Sequence, residues 1–411
     1  MTPVSTRSRQ VAGLAAAVCV VAITTPALAQ PAPEPPPLPD DITADPPPPP
    51  PGSDTAEEPM SRLPGWVKAG TRFVYRVGPA TIRENKAGWV SFDEADIADA
   101  KLPSWSYNDV LAVVDQQALV VTSTFQDAGD GRYMLASTDY TLMSPVAFGA
   151  LAIKPKYLEP IGAGLAAEEI GTSSAETWTI NGRAWDTRVT QTADTMKVYD
   201  TASGVLLAAT KEVDDGRGGE RGVAMRYVRY EQAPLPWAKA DPPGWIAAGQ
   251  TLVFRLETWL VSRDAFTGQM TETPRVPSDM SIEIEMLHPT HADIKVSWAA
   301  VPGAMIKPDP RPATKRPSPN NGDYWINPDV LAKLRPGQVL SKLPEVGVTM
   351  TVKGRDRMPD GGEAVVFELV SKAMTTTLAY DLKSGVIMHW YQVNHITNVH
   401  IRYYFVTLDE P

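Results

Sequence analysis

The chain has one cysteine in 411 residues, Cys19, and it lies in the first apolar run. That run reads as an export signal, so the exported protein is expected to keep none. This excludes disulfides, thiolate nucleophiles and cysteine metal sites, and leaves core packing to hold an exported fold together. Histidine is nearly as scarce. All five stand late in the chain, at His288, His291, His389, His395 and His400, so the first half lacks the commonest general base. After the signal, no apolar run is long enough to cross a bilayer. Positive charge is in deficit, 38 Lys+Arg against 48 Asp+Glu, with no basic cluster. That balance gives no electrostatic reason to bind nucleic acid or an anionic membrane. A Gly-x-Ser-x-Gly elbow, a phosphate-cradling loop and a dinucleotide fingerprint are also missing. No cofactor is expected.

The N-terminus fits the signal reading. Arg7 and Arg9 give a positive start, Val11 to Ile23 a short apolar run, and Ala27-Leu28-Ala29 a small-x-small cleavage site. Residues 1–29 are therefore expected to be removed, with a periplasmic or secreted location for the rest. Val18 ahead of Cys19 argues against lipoprotein acylation, where a small residue is required. Residues 30–63 follow as a proline tract, with twelve prolines among the 21 residues from Pro31 to Pro51. Such a segment builds no core. It predicts a disordered, polyproline-II-like tether.

What is present in quantity is repetition. Pro64 to Val77 and Pro243 to Leu256 align without a gap at an offset of 179, seven of fourteen positions being identical. Three further pairs follow in the same order: Ser144-Pro145 with Asn327-Pro328, Tyr199 to Val205 with Tyr380 to Val386, and Arg226-Tyr227 with Arg402-Tyr403. A chain of this length exceeds one typical core. Two tandem domains are expected, at 64–235 and 236–411.

Within each copy the pattern is β. Phe73, Tyr75 and Val77 alternate with polar positions, as do Leu252, Phe254 and Leu256. Leu119 to Phe125, Tyr133 to Leu142, Ser281 to Leu287, Asp293 to Trp298, Ala364 to Val370 and Val399 to Leu408 read likewise as strands. Tyr-Asp followed by Ser-Gly-Val predicts a hairpin closed by an Asx turn, with glycine at positive φ. Asn327 as cap and Pro328 at the first helical position predict a short helix, with a counterpart from Ser144 to Ile153. Pro302 to Asn321 reads as a surface loop. The expected fold is thus mainly β. Each copy is a curved antiparallel sheet, a partly closed barrel or sandwich, with one short helix against it. That plan is similar in outline to periplasmic carriers of lipidated proteins, a likeness of architecture alone.

Few residues suggest chemistry. His389 and His400 fall in the last hairpin; with its turn near Asn394-His395 they would face each other as a metal pair. His288-Pro-Thr-His291 sits in a turn and lacks the glutamate of the helical metalloprotease motif. Trp66 and Trp245, just outside their strands, are either core plugs or contacts to a ligand. Duplicated structural residues without duplicated chemistry point to a non-enzymatic exported protein that binds a small apolar ligand or an envelope partner. The alternatives are a metal-dependent or carboxylate hydrolase confined to the second copy, and an envelope structural protein.

Overall fold

The computed structural model describes residues 63–409, apart from 83–89, 92–104, 115–116, 145–148, 156–157, 159–171, 181–182, 192–194, 215–219, 238–239, 264–266, 289–290, 300–312, 316–322 and 359–360. The signal segment and nearly all of the proline tract lie outside the described residues.

The first half supplies β1 (Thr71–Ile82), β2 (Val90–Ser91), β3 (Trp105–Val114), β4 (Gln117–Asp127), β5 (Tyr133–Met143), β6 (Thr172–Ile180), β7 (Arg183–Gln191), β8 (Thr195–Asp200), β9 (Leu206–Asp214) and β10 (Glu220–Gln232). The second supplies β11 (Thr251–Arg263), β12 (Met270–Glu272), β13 (Val276–Leu287), β14 (Ala292–Trp298), β15 (Ala313–Lys315), helix α1 (Pro328–Lys333), β16 (Val339–Leu343), β17 (Val348–Arg357), β18 (Glu363–Val370), β19 (Met374–Asp381), β20 (Ile387–Asn394) and β21 (Val399–Asp409).

The protein is mainly β, in two antiparallel sheets. The first runs β5-β4-β3-β1-β10-β9-β8-β7-β6 and the second β15-β14-β13-β11-β21-β20-β19-β18-β17-β16. Set β16 aside and the two orders coincide. In both, the opening strand pairs with the closing one at the centre. The chain therefore crosses from one sheet edge to the other midway. Neither order closes on itself among the described residues, so a barrel is not formed by these pairings.

Local chemistry explains the shared details. A β-bulge interrupts β1 at Val74/Tyr75 and β11 at Val253/Phe254, again at offset 179. Another interrupts β3 at Val110/Ala112 and β13 at Ile284/Met286. The turn entering β1 donates the Gly70 N–H to the Val110 carbonyl, and the turn entering β11 donates the Gly249 N–H to Ile284, both at 2.7 Å. Gly337, entering β16, does the same to Val352 beside a bulge in β17. In each case an entry-turn amide supplies the donor for a carbonyl next to a bulge, where the ladder is interrupted.

The Tyr-Asp hairpins form as expected. Asp200 Oδ2 accepts the Ser203 N–H at 2.9 Å and Asp381 Oδ2 accepts that of Ser384 at 2.6 Å. Gly204 and Gly385 take φ of 76° and 80°. A Cβ there would lie 1.6 Å from the Ile153 carbonyl oxygen or 1.9 Å from that of Ile326, so both positions require glycine. Each hairpin also bridges to the crossover, Ala152 to Val205 and Trp325 to Val386.

The bridges and the strand register correct two alignments. The bridges make Ile153-Lys154-Pro155 the counterpart of Ile326-Asn327-Pro328, rather than Ser144-Pro145. Helix α1 itself forms with the expected cap, Asn327 Oδ1 accepting the Asp329 N–H at 2.8 Å, and it buries Leu331. The expected helix from Ser144 to Ile153 does not form at its described residues: 149–151 are turn and Ala152 is a bridge. The paired-strand register likewise matches Tyr227 to Phe405, since both sit opposite the bulged aromatic Tyr75 or Phe254. The Arg-Tyr match was out by two residues. Part of the expected 302–321 loop is strand, β15 pairing with β14.

Each sheet turns one face to its own apolar core. In the first, Phe73, Tyr75, Val110, Val120, Val198 and Tyr227 meet Leu151 and Ala152 of the crossover. In the second, Leu252, Phe254, Ile282, Ile294 and Phe367 meet Trp325, Ile326 and Leu331. The opposite, back faces differ, and they carry the chemistry.

Candidate functional site

The back face of the first sheet is covered by the second half of the chain. Its centre is Arg72, 3% exposed. A buried guanidinium needs every donor aimed at an acceptor. Nη2 donates to Asp109 Oδ2 at 2.8 Å and to Ser341 Oγ at 3.1 Å, and Nη1 donates to the Lys342 carbonyl at 3.3 Å. Nε also pairs with Asp109, and Glu231 lies 3.6 Å away. Burial alone would lower the pKa of Arg72, but Asp109 and Glu231 outweigh it and the value rises.

Ser341 and Lys342 belong to β16, which has no counterpart among the described residues of the first sheet. Immediately after it, the single turn Pro344–Val346 presents Glu345, whose side chain is 4% exposed. Tyr107 donates its hydroxyl to Glu345 Oε2 at 2.7 Å, and Arg229 pairs with the other carboxylate oxygen. Val74, Trp105, Tyr107 and Phe125 of the first sheet pack there with Leu343, Val346 and Val348 of the second. The added strand and turn therefore fill a socket on the first sheet.

Among the described residues, the back face of the second sheet has no such socket. Where the first has Arg72, Tyr107 and Arg229, the second has Thr251, Ser281 and Thr407 at matched register. Val74 is 0% exposed; its equivalent Val253 is only half-buried, and nearby Val406 is 47% exposed. Farther along this face stands a cluster of rings and ions. Arg275 lies over the Trp259 ring, 4.6 Å from its centroid, and Trp259 stacks on Tyr391 and His400. Glu257 pairs with Arg402 at 2.5 Å and with Arg275 at 3.7 Å, and Arg255 pairs with Asp279 at 2.9 Å.

His389 and His400 share this face but do not meet. The register sets His389 opposite Tyr404 and His400 opposite Val393. The connecting turn lies two residues later than expected, and Tyr391 stands between the two imidazoles. Its hydroxyl bonds His400 Nδ1 at 2.6 Å. Burial lowers the pKa of both histidines, joined at His389 by the nearby Arg402 charge.

The metal-type grouping occurs elsewhere. His288, His291 and Asp293, at the tip of the β13–β14 hairpin, bring one ligand atom each within 4.8 Å of one another. The sequence motif names His288 and His291 but not Asp293. The usable signal was the period of two, which puts His291 and Asp293 on one strand face.

Trp66 and Trp245 occupy matched places. Each is half-buried and donates its indole N–H to the hairpin of its own half, Trp66 to the Ser203 carbonyl at 3.1 Å and Trp245 to that of Ser384 at 2.5 Å. Trp66 stacks on Tyr230 at 4.8 Å, and Trp245 meets Trp325 edge-on at 6.4 Å.

No helix among the described residues is long and apolar enough to cross a membrane. No family model and no curated protein matches the chain. Among solved structures, it is similar to a domain described as an outer membrane lipoprotein-sorting protein from Vibrio parahaemolyticus, at 10% identity and TM-score 0.17, over 41% of this chain and 86% of that one. It is also similar to the MucA/MucB complex structure of Pseudomonas aeruginosa, at 9% identity and TM-score 0.19, over 82% and 88%. A DUF1329 family protein from Desulfovibrio piger matches at 8% identity and TM-score 0.16, over 41% and 93%. Likeness at these scores is distant, and the functional reading rests on this chain's own residues.

Proposed function

We propose that the chain is an exported, non-enzymatic protein that holds an envelope protein partner on the back face of its second sheet. Export rests on the N-terminal signal. The observation that carries the partner is the contrast between matched faces: the first is covered by the chain's own strand and turn, while the second leaves Val406 47% exposed and Tyr391, Tyr404 and Arg402 part-exposed, around a Trp259 that is itself buried. Tyr, Trp and Arg supply much of the affinity in protein interfaces. The cations here are already paired with carboxylates, which disfavours a free anion as the occupant. The core faces hold the chain's own side chains, Trp325 and Leu331 at 0% exposure, which favours a protein partner over a small apolar ligand.

Site-specific photo-crosslinking in the producing cells tests this reading. A crosslinker at Val406 should give a discrete protein adduct that is lost in Tyr391→Ala and Tyr404→Ala. The same probe at Leu135, 40% exposed on the first sheet, should give none. Absence of an adduct at 406, or the same adduct from both positions, would reject the proposal.

A further inference from the structure

The geometry points to a transition-metal site at His288, His291 and Asp293, with two imidazole nitrogens and one carboxylate oxygen as ligands. It stands independently of the partner reading. His288 Nε2 lies 3.2 Å from Asp293 Oδ2, and His291 Nε2 lies 3.6 Å from Oδ1. Ligands held about 2.0–2.2 Å from a tetrahedral zinc are spaced roughly 3.3 Å apart; each imidazole lies near that spacing from one oxygen of the same carboxylate, and one ligand atom from each residue lies within 4.8 Å of the others, so a small rotation of the side chains brings the three onto one ion. The two rings also stack, centroids 4.3 Å apart, with both Nε2 atoms beside one carboxylate.

Backbone bonds fix the residues flanking the site. The His288 N–H donates to the His291 carbonyl at 2.8 Å, closing the turn, and Ala292 and Asp293 are already in ladder pairing with Leu287 and Met286. Comparison with the first sheet gives a second argument. At matched register the β3–β4 hairpin has Val114, Gln117 and Leu119, and Leu119 is 0% exposed. The second sheet thus puts a carboxylate where the first buries a leucine, beside a His291 that is 7% exposed. Burying such groups is unfavourable unless they are paired or bind an ion.

The nitrogen and oxygen donor set suits Zn2+, Co2+, Ni2+ or Cu2+ rather than Ca2+ or Mg2+. Three protein ligands leave a fourth position for water or for a ligand from another molecule. Because metal binding displaces protons from the ligands, affinity should fall on acidification.

The test is calorimetric titration of Zn2+ into the untagged exported chain, with Co2+ visible absorption as a second readout of tetrahedral ligation. The expected result is one ion per chain and at least about a 100-fold weaker affinity in His288→Ala and in Asp293→Ala. Both residues are more exposed than His291, and circular dichroism checks that the variants are folded. His389→Ala/His400→Ala should bind as the parent does. Absent binding, binding unchanged in His288→Ala and Asp293→Ala, or loss in the His389/His400 variant instead would each overturn the assignment.

Discussion

The two sheets share a strand order, three bulges, an Asx-closed hairpin and an indole that reaches back to that hairpin, yet their back faces have opposite fates. On the first, Arg72, Tyr107 and Arg229 form a socket filled by Ser341, Lys342 and Glu345. On the second, the matched positions carry Thr251, Ser281 and Thr407. The strand that makes the difference, β16, occurs among the described residues only in the second sheet. A common scaffold has thus been specialised at one edge, and the specialised edge joins the halves. The scaffold positions are apolar or turn residues; the differences are charged and aromatic residues on the faces the scaffold leaves free.

The largest expected effect breaks the socket. Arg72→Ala leaves Asp109 without its partner in a mostly buried place, at a cost of roughly 3–5 kcal/mol. Thr251→Ala, the matched change in the second sheet, should shift stability by no more than about 0.5 kcal/mol. Chemical denaturation of the two variants measures both, and equal losses would erase the asymmetry. The paired indoles probe what the halves share. Trp66→Ala and Trp245→Ala should each cost about 2–3 kcal/mol, below the range of a fully buried aromatic because each ring is half-buried. Losses under about 1 kcal/mol in both would instead mark the pair as ligand contacts.

The expected strands were readable because alternation over a half-buried sheet is a local signal. The Val399 to Leu408 expectation became β21, and Ala364 to Val370 became β18, each within a residue at either end. The Asx hairpins and the Asn327 cap were readable for the same reason. Non-local register was not. Ser144-Pro145 has the local look of a helix start, but the true counterpart of Pro328 is fixed by Ile153 meeting the Gly204 hairpin, fifty residues on. The Arg-Tyr match slipped by two residues, a shift that keeps every side chain on its own face and so leaves the period intact. β16 has five residues, and its place is set by the socket it enters. At the candidate metal site the histidines were visible, while Asp293 waited on the pairing of β13 with β14.

The smallest expected effect separates the halves by pH. Histidine occurs only in the second. Burial holds His389 and His400 below the ordinary imidazole pKa, so the unfolded chain takes up protons first as pH falls. Their stabilising contribution is present above about pH 6.5 and is lost as pH drops through their lower folded values. Denaturation of the parent should therefore weaken more between about pH 7 and pH 5 than that of His389→Gln/His400→Gln. Identical slopes would contradict the shifts.

Side-chain footprinting of the full chain by hydroxyl radicals tests the central contrast most directly. Trp105 and Tyr107 on the first back face should be protected, while Tyr391 and Tyr404 on the second are labelled. A Glu345→Ala/Val346→Asp variant should uncover Trp105 and Tyr107 and leave the other pair unchanged. If Trp105 and Tyr107 in the parent were labelled as readily as Tyr391 and Tyr404, the two faces would be equally open and the account would be contradicted.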